Sequence, residues 1–237
     1  MINKIVKSLK DAVANIHDDS TIMIGGFGEA GSPVELIHAL IDKGSKNLTI
    51  ISNNTGSGHV GLAALIENRQ VKRMICSFPR TANSTVFPQL YNKNEIELEL
   101  VPQGTLAERI RAGGAGIPAF YTRTSINTLL SKGKEHKFFD DNEYVLEYAL
   151  KADFSLVKCN ISDRYGNLTY HATARNFGPI MCTAAKETIV QSKKIVEIGD
   201  INPENVITPG IYVDKVIEIE NPAHESELVE SQIRYLC

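Results

Sequence analysis

Residues 24–33 read IGGFGEAGSP. Gly25, Gly26, Gly28 and Gly31 stand with Phe27, Glu29 and Ala30 between them, closed by Ser32 and Pro33. Glycines at this density let a ligand approach the main chain closely. Backbone N–H groups turned toward a helix start suit a phosphate, a pyrophosphate or an oxyanion. Gly26 to Gly31 spells G-x-G-x-x-G, so dinucleotide binding is one reading. Two details oppose it. Ser32, Pro33 and Glu35 read as a capping box, which starts the helix after Gly31 rather than at it. The next strand ends in Ser52-Asn53-Asn54 instead of the carboxylate that would hold a ribose. A nucleoside-triphosphate loop is excluded, since no Gly-Lys-Ser/Thr follows. A tight turn without a ligand stays open.

Two further loops have the same character. Asn53-Asn54-Thr55-Gly56 closes the second strand in amide donors. Val101-Pro102-Gln103-Gly104-Thr105 closes another, with Gln103 at the strand end and Thr105 and Glu108 spaced as a second capping box. Arg111 to Ala119, RAGGAGIPA, holds more glycine than a helix cap requires, and invites close approach by a ligand or another chain. These loops are rich in neutral donors and contain no histidine. His59 reads as incidental, and Glu29, flanked by glycines, has no evident base beside it.

The elements that must position these loops alternate. Residues 21–24 form a strand, 33–43 an amphipathic helix stopped by Gly44, 48–52 a strand, 61–67 a helix, 72–77 a strand, 95–100 a strand with one wet face, and 106–111 a short helix. Strands are expected at 144–150, 154–159, 168–171, 188–191 and 213–219, with a short helix at 179–186. Residues 2–16 carry helical spacing. The rhythm predicts an α/β fold: an open, largely parallel Rossmann-like sheet with helices on both faces. Three loops at strand ends would then gather on one edge, where such sheets bind ligands.

A chain of 237 residues suits one large domain, expected over 1–219, with a polar tail over 220–237. A net charge of −3 offers no basic field for nucleic acid, and no apolar run is long enough to span a bilayer. Cys76, Cys159, Cys182 and Cys237 lack metal-ligand spacing, so no metal is expected, the cysteines read as structural, and a cytoplasmic setting follows.

The sequence resembles the family I CoA-transferases, in the A (alpha) subunit of the 3-oxoacid type. The resemblance rests on DSTIMIGGFGEAGSP (19–33), SNN (52–54), VPQGTLAERIRAGGAGIPAFYT (101–122), GNLTY (166–170), TARNF (173–177) and ITPGIYVD (207–214), in that order, up to about Ile219. It implies a CoA-transferase fold and an exchange of CoA between succinyl-CoA or acetyl-CoA and a 3-oxoacid such as acetoacetate, as in ketone-body or short-chain fatty acid metabolism. It also implies ping-pong chemistry, in which a glutamate forms an anhydride and then a glutamyl-CoA thioester. That glutamate belongs to the B (beta) subunit, in a Ser-Glu-Asn-Gly motif absent here. The implied partner is therefore the beta subunit of a CoA-transferase, in an A2B2 or larger assembly, with CoA or acyl-CoA as substrate rather than a tightly bound cofactor.

Carried over residue by residue, Gly25, Gly26, Phe27, Gly28, Glu29, Ala30 and Gly31 form the CoA-binding segment. Asn53, Asn54 and Gln103 line the pocket beside the partner glutamate, and Gly114 and Ala115 frame that same pocket. Residues 77–87 depart from the family wording, which leaves the acid specificity open, as do Gly178 after RNF and the tail after Ile219.

Overall fold

The computed structural model describes residues 2–81 and 83–236. In chain order the elements are α1 (Leu9–Ala12), β1 (Thr21–Ile24), α2 (Val34–Lys43), β2 (Leu48–Ile51), α3 (Gly61–Glu67), β3 (Val71–Cys76), α4 (Val86–Asn92), β4 (Glu97–Leu100) and α5 (Gln103–Gly114). They continue with β5 (Ala119–Thr122), β6 (His136–Phe139), β7 (Asn142–Tyr148), β8 (Ala152–Asp163), β9 (Leu168–Thr169), α6 (Gly178–Ala184), β10 (Ala185–Val196), β11 (Lys215–Glu218) and α7 (Glu225–Glu230).

The main sheet runs β11-β10-β8-β1-β2-β3-β4, with every neighbouring pair parallel and β9 folded back on β8. The expected open parallel α/β sheet is thus present. Its strands carry apolar side chains on both faces because both faces are covered. Ile22 and Ile24 enter the core formed with α2 and α3, while Met23 points the other way into the core formed with α5 and α6. The chain moves outward from β1 to β4, then returns to lay β8 on the other side of β1. The strand order therefore reverses at β1, and the crevice of such a sheet opens beyond the carboxyl ends of the strands there.

Residues 119–148 add a three-stranded antiparallel sheet, β5-β7-β6, of which the sequence pattern predicts only β7. Arg109 ties it to the main body. Its guanidinium donates to Glu99 Oε1 at 2.6 Å and to the Tyr148 carbonyl at 2.6 Å, and lies 3.9 Å from the buried Glu147. Lys134 also pairs with Glu147. Glu99 is desolvated, which would raise its pKa, yet Arg109 and Arg73 bring it below its ordinary value.

Several local expectations need correction. Only Leu9–Ala12 of the expected amino-terminal helix is helical, capped by Ser8. Residues 4–6 instead run along β11, with Val6 N–H donating to the Val216 carbonyl and Val216 N–H to that of Lys4, which covers an open sheet edge. Neither capping box forms. The caps are Pro33 and Pro102, without side-chain hydrogen bonds. Ser32 and Glu35 are drawn to the distant carboxyl-terminal segment, Glu108 pairs with Arg111, and the Thr105 hydroxyl is buried without a partner.

Candidate functional site

The glycine loop leaves β1 at the point where the strand order reverses. Gly26, Gly28 and Gly31 have φ of +128°, +60° and +83°, a backbone that side chains rarely tolerate. The loop closes on itself, Phe27 N–H donating to the Ala30 carbonyl at 3.0 Å and Ser32 N–H to that of Glu29 at 3.0 Å. Behind it lies the TARNF segment. Asn176 Nδ2 donates to the Ala30 carbonyl at 2.8 Å, and a β-carbon on Gly31 would sit 2.7 Å from the Ala174 carbonyl. Gly31 thus serves close packing inside the chain, whereas a β-carbon on Gly28 would enter open space.

The two amide loops converge beside it. Asn53 and Asn54, buried at the end of β2, face Gln103, the first residue of α5. Gln103 Nε2 donates to Asn53 Oδ1 at 2.8 Å, and Ser77 Oγ donates to the same oxygen at 2.8 Å. With Oδ1 doubly committed, the Nδ2 amide is the donor that Asn53 has left to offer. Asn54 Oδ1 accepts from Gly56 N–H at 2.8 Å, and Gly56 lets α3 pack closely, a β-carbon there lying 2.4 Å from Ala63 N. Phe27, Gly28, Asn53, Asn54, Ser77, Phe78, Thr81 and Gln103 line one cleft of about 370 Å³. Phe27 and Phe78 are half exposed and flank a floor of neutral donors. The divergent segment contributes Ser77, Phe78 and Thr81, so its position in the cleft comes from the structure.

Gly114 and Ala115 do not frame this cleft. They stand at the other end of α5, eleven residues or about 16 Å from Gln103, in a separate cleft of about 330 Å³ with Arg111, Thr183 and Tyr212. The glycines there serve packing within the chain: a β-carbon on Gly113 would lie 2.0 Å from the Leu150 carbonyl, in the connection between β7 and β8, and one on Gly114 2.0 Å from Thr183 Oγ1 of α6. The close approach inferred from the sequence is made by this chain's own segments. The GNLTY and ITPG segments likewise knit to each other, Tyr170 OH pairing with Thr208 Oγ1 at 2.8 Å and Gly210 N–H donating to Asn167 Oδ1 at 2.9 Å.

Among charged groups near the loop, Glu29 is not a free base. Its Oε2 accepts from Ser226 N–H at 2.8 Å, and that hydrogen bond holds its pKa below the ordinary value. Glu225 is buried under the loop, and burial pushes it up to about 7. The thiols of Cys76, Cys159 and Cys182 are buried and pushed up to about 12, far from thiolate chemistry, and Cys237 lies outside the described residues. Among the described residues, no helix is long and apolar enough to cross a membrane.

A donor-lined cleft with a glycine loop stands at the switch point of an α/β sheet, the place where open sheets of this kind bind ligands. Residues 6–219 match the family described as Coenzyme A transferase. The chain is 54% identical to the A-type subunit of the 3-oxoadipate CoA-transferase of Pseudomonas putida, over 95% of this chain and 98% of that one. It is 47% identical to the A-type subunit of the probable succinyl-CoA:3-ketoacid coenzyme A transferase of Bacillus subtilis, over 91% and 90%. An acyl-CoA transferase from E. coli, solved as a thioester complex with CoA, shares the fold with a TM-score of 0.83 at 23% identity. That likeness covers 94% of this chain and 48% of the E. coli one, so this chain spans about half of that polypeptide. The chain belongs to the coenzyme A transferase family, and corresponds to the alpha subunit of its heteromeric members.

Proposed function

We propose that this chain, joined to its beta partner, moves CoA between succinyl-CoA and a 3-oxoacid. The names of its relatives divide between 3-oxoadipate and the wider 3-ketoacid class, so the proposal widens acetoacetate to the 3-oxoacid head that both share. The observation that carries the reading is the cleft itself: neutral amide donors fixed by their own hydrogen bonds, aromatic walls, and a glycine loop on one side.

In this reading the glycine loop, Gly25 to Gly31, receives CoA. The nucleophilic carboxylate comes from the beta subunit. It attacks the thioester carbonyl and CoA thiolate leaves. The thiolate then attacks the enzyme's own acyl carbon of the resulting anhydride, expelling succinate and giving a glutamyl thioester. The carboxylate of the 3-oxoacid attacks that thioester, so that the same steps in reverse carry CoA to it and free the glutamate. Each tetrahedral intermediate places negative charge on an oxygen. Asn53 Nδ2, held by the Gln103 and Ser77 hydrogen bonds to its oxygen, meets that charge without reorganising. The buried cysteines agree with a reducing, cytoplasmic compartment.

The test is steady-state exchange by the purified alpha–beta complex, with succinyl-CoA as donor and acetoacetate and 3-oxoadipate as acceptors. Parallel-line, ping-pong kinetics with one acceptor supports the reading. Failure with both acceptors overturns it. Membership in the family leaves the dinucleotide reading of G-x-G-x-x-G without support, and saturable binding of NAD(H) would be needed to restore it.

A further inference from the structure

The family match ends at residue 219, and the chain after it does not hang free. Residues 223–235 cross the ends of β1, α2 and α3 as a strap. Ala223 N–H donates to Glu35 Oε1 at 2.6 Å, Ser226 N–H to Glu29 Oε2 at 2.8 Å, and Ser32 Oγ to Glu225 Oε1 at 2.6 Å. The far end is tied as firmly. Tyr235 stacks on His38 with ring centroids 3.8 Å apart, and its N–H donates to the His59 carbonyl at 2.9 Å. The surface beneath is cut to fit. A β-carbon on Gly58 would lie 2.6 Å from Val229 Cγ2, and one on Gly61 2.7 Å from Glu225 Oε1.

At its amino-terminal end two of the strap's carboxylate contacts fall on the glycine loop and its exit, at Glu29 and Ser32, while others reach Glu35, Asp42 and Glu67. Glu225 itself is only 6% exposed and lines a small void together with Gly25, Gly26, Gly28 and Asn54. The carboxyl there accepts from the hydroxyl at the loop's end and packs on Gly61, outside the strand pairing of the sheet. We propose that the carboxyl-terminal strap is part of the site, with Glu225 a positioning residue that fixes the glycine loop in its acyl-CoA-binding shape through the Ser32 hydroxyl. The proposal rests on the reading that this loop receives CoA.

The experiment compares kcat and KM for succinyl-CoA in the alpha–beta complex carrying E225A, E225Q, S32A, the S32A/E225A pair and, as a separate control, G28V. Losing the Ser32–Glu225 hydrogen bond at the loop's exit raises KM about ten-fold in E225A and S32A. kcat stays within about two-fold, since the reacting atoms lie elsewhere. E225Q, whose amide oxygen still accepts from Ser32, restores KM to within about two-fold of the unaltered complex. The double variant is no worse than either single one, because both remove the same contact. Unchanged KM in E225A and S32A, or additive effects in the pair, overturns the proposal. If E225A fails to assemble, S32A against E225Q carries the comparison with the same criteria. G28V separates the two readings. A KM unmoved by G28V removes the CoA-binding role of the loop. A KM raised by G28V but not by E225A or S32A removes only the role of the strap.

Discussion

Replacing Glu225 with Gln makes the assembly more stable at pH 8 than the unaltered protein, and the two converge only as the pH falls below 4.5. Burial lifts the Glu225 carboxyl from its ordinary 4.5 to about 7, the Ser32 hydroxyl opposing the rise, Glu29 adding to it and Lys158 opposing it. The folded protein therefore holds this proton more tightly than the unfolded chain. A carboxyl of this kind contributes stability below pH 4.5 that is lost as the pH climbs toward 7. At about 1.4 kcal/mol per tenfold change in proton affinity, the full loss is about 3 kcal/mol. Gln keeps the oxygen that accepts from Ser32 and has no charge to desolvate, so it escapes that loss. The assay is the thermal midpoint of the alpha–beta complex at fixed protomer concentration, for both proteins, from pH 5 to pH 8.5. The variant's advantage should grow across that range and level off above about pH 8, one unit past the titration. Midpoints that run parallel at all pH values would refute this, since Glu225 would then titrate as it does in the unfolded chain.

Asn53→Ala should lower kcat about 10²–10³-fold, the loss of one preorganised oxyanion donor, with a smaller change in KM for succinyl-CoA; steady-state rates of the complex check this. Arg109→Met should cost about 3–5 kcal/mol, because it leaves Glu147 and Glu99 with one cation fewer in a buried network; urea unfolding of the assembly measures it. Gly114→Ala should destabilise by about 1–3 kcal/mol by forcing α5 away from Thr183, while succinyl-CoA KM in the folded fraction stays near its starting value. A large KM effect there would return Gly114 to the substrate cleft.

The parts of the site that were legible in the sequence are those fixed by local backbone chemistry. Glycines after a short apolar run mark the end of β1. Amides at the ends of β2 and β4 predict donors on one edge, and the structure brings Asn53 and Gln103 within 2.8 Å of each other. What stayed hidden depends on partners remote in sequence. Ser32 is spaced to cap α2, yet its hydroxyl goes to Glu225, 193 residues away. Gly113 and Gly114 look like a loop that admits a ligand, but a helix tolerates glycine where a neighbouring segment presses against it, here Leu150 on Gly113 and α6 on Gly114. The segment 123–142 carries too little apolar alternation to announce β6. The strap reads as a polar tail because the residue it buries, Glu225, is of a type rarely buried without a partner.

The central claim is that this chain builds the walls of a CoA-transfer site and depends on the beta subunit for its nucleophile. The direct measurement is CoA exchange between succinyl-CoA and a 3-oxoacid by the purified chain alone, by the isolated beta subunit, and by the two combined. Exchange is expected only in the combination, with an isolable thioester on a glutamate of the beta subunit when succinyl-CoA is added without acceptor. Exchange by this chain alone, or a thioester formed on one of its own carboxylates, would contradict the claim.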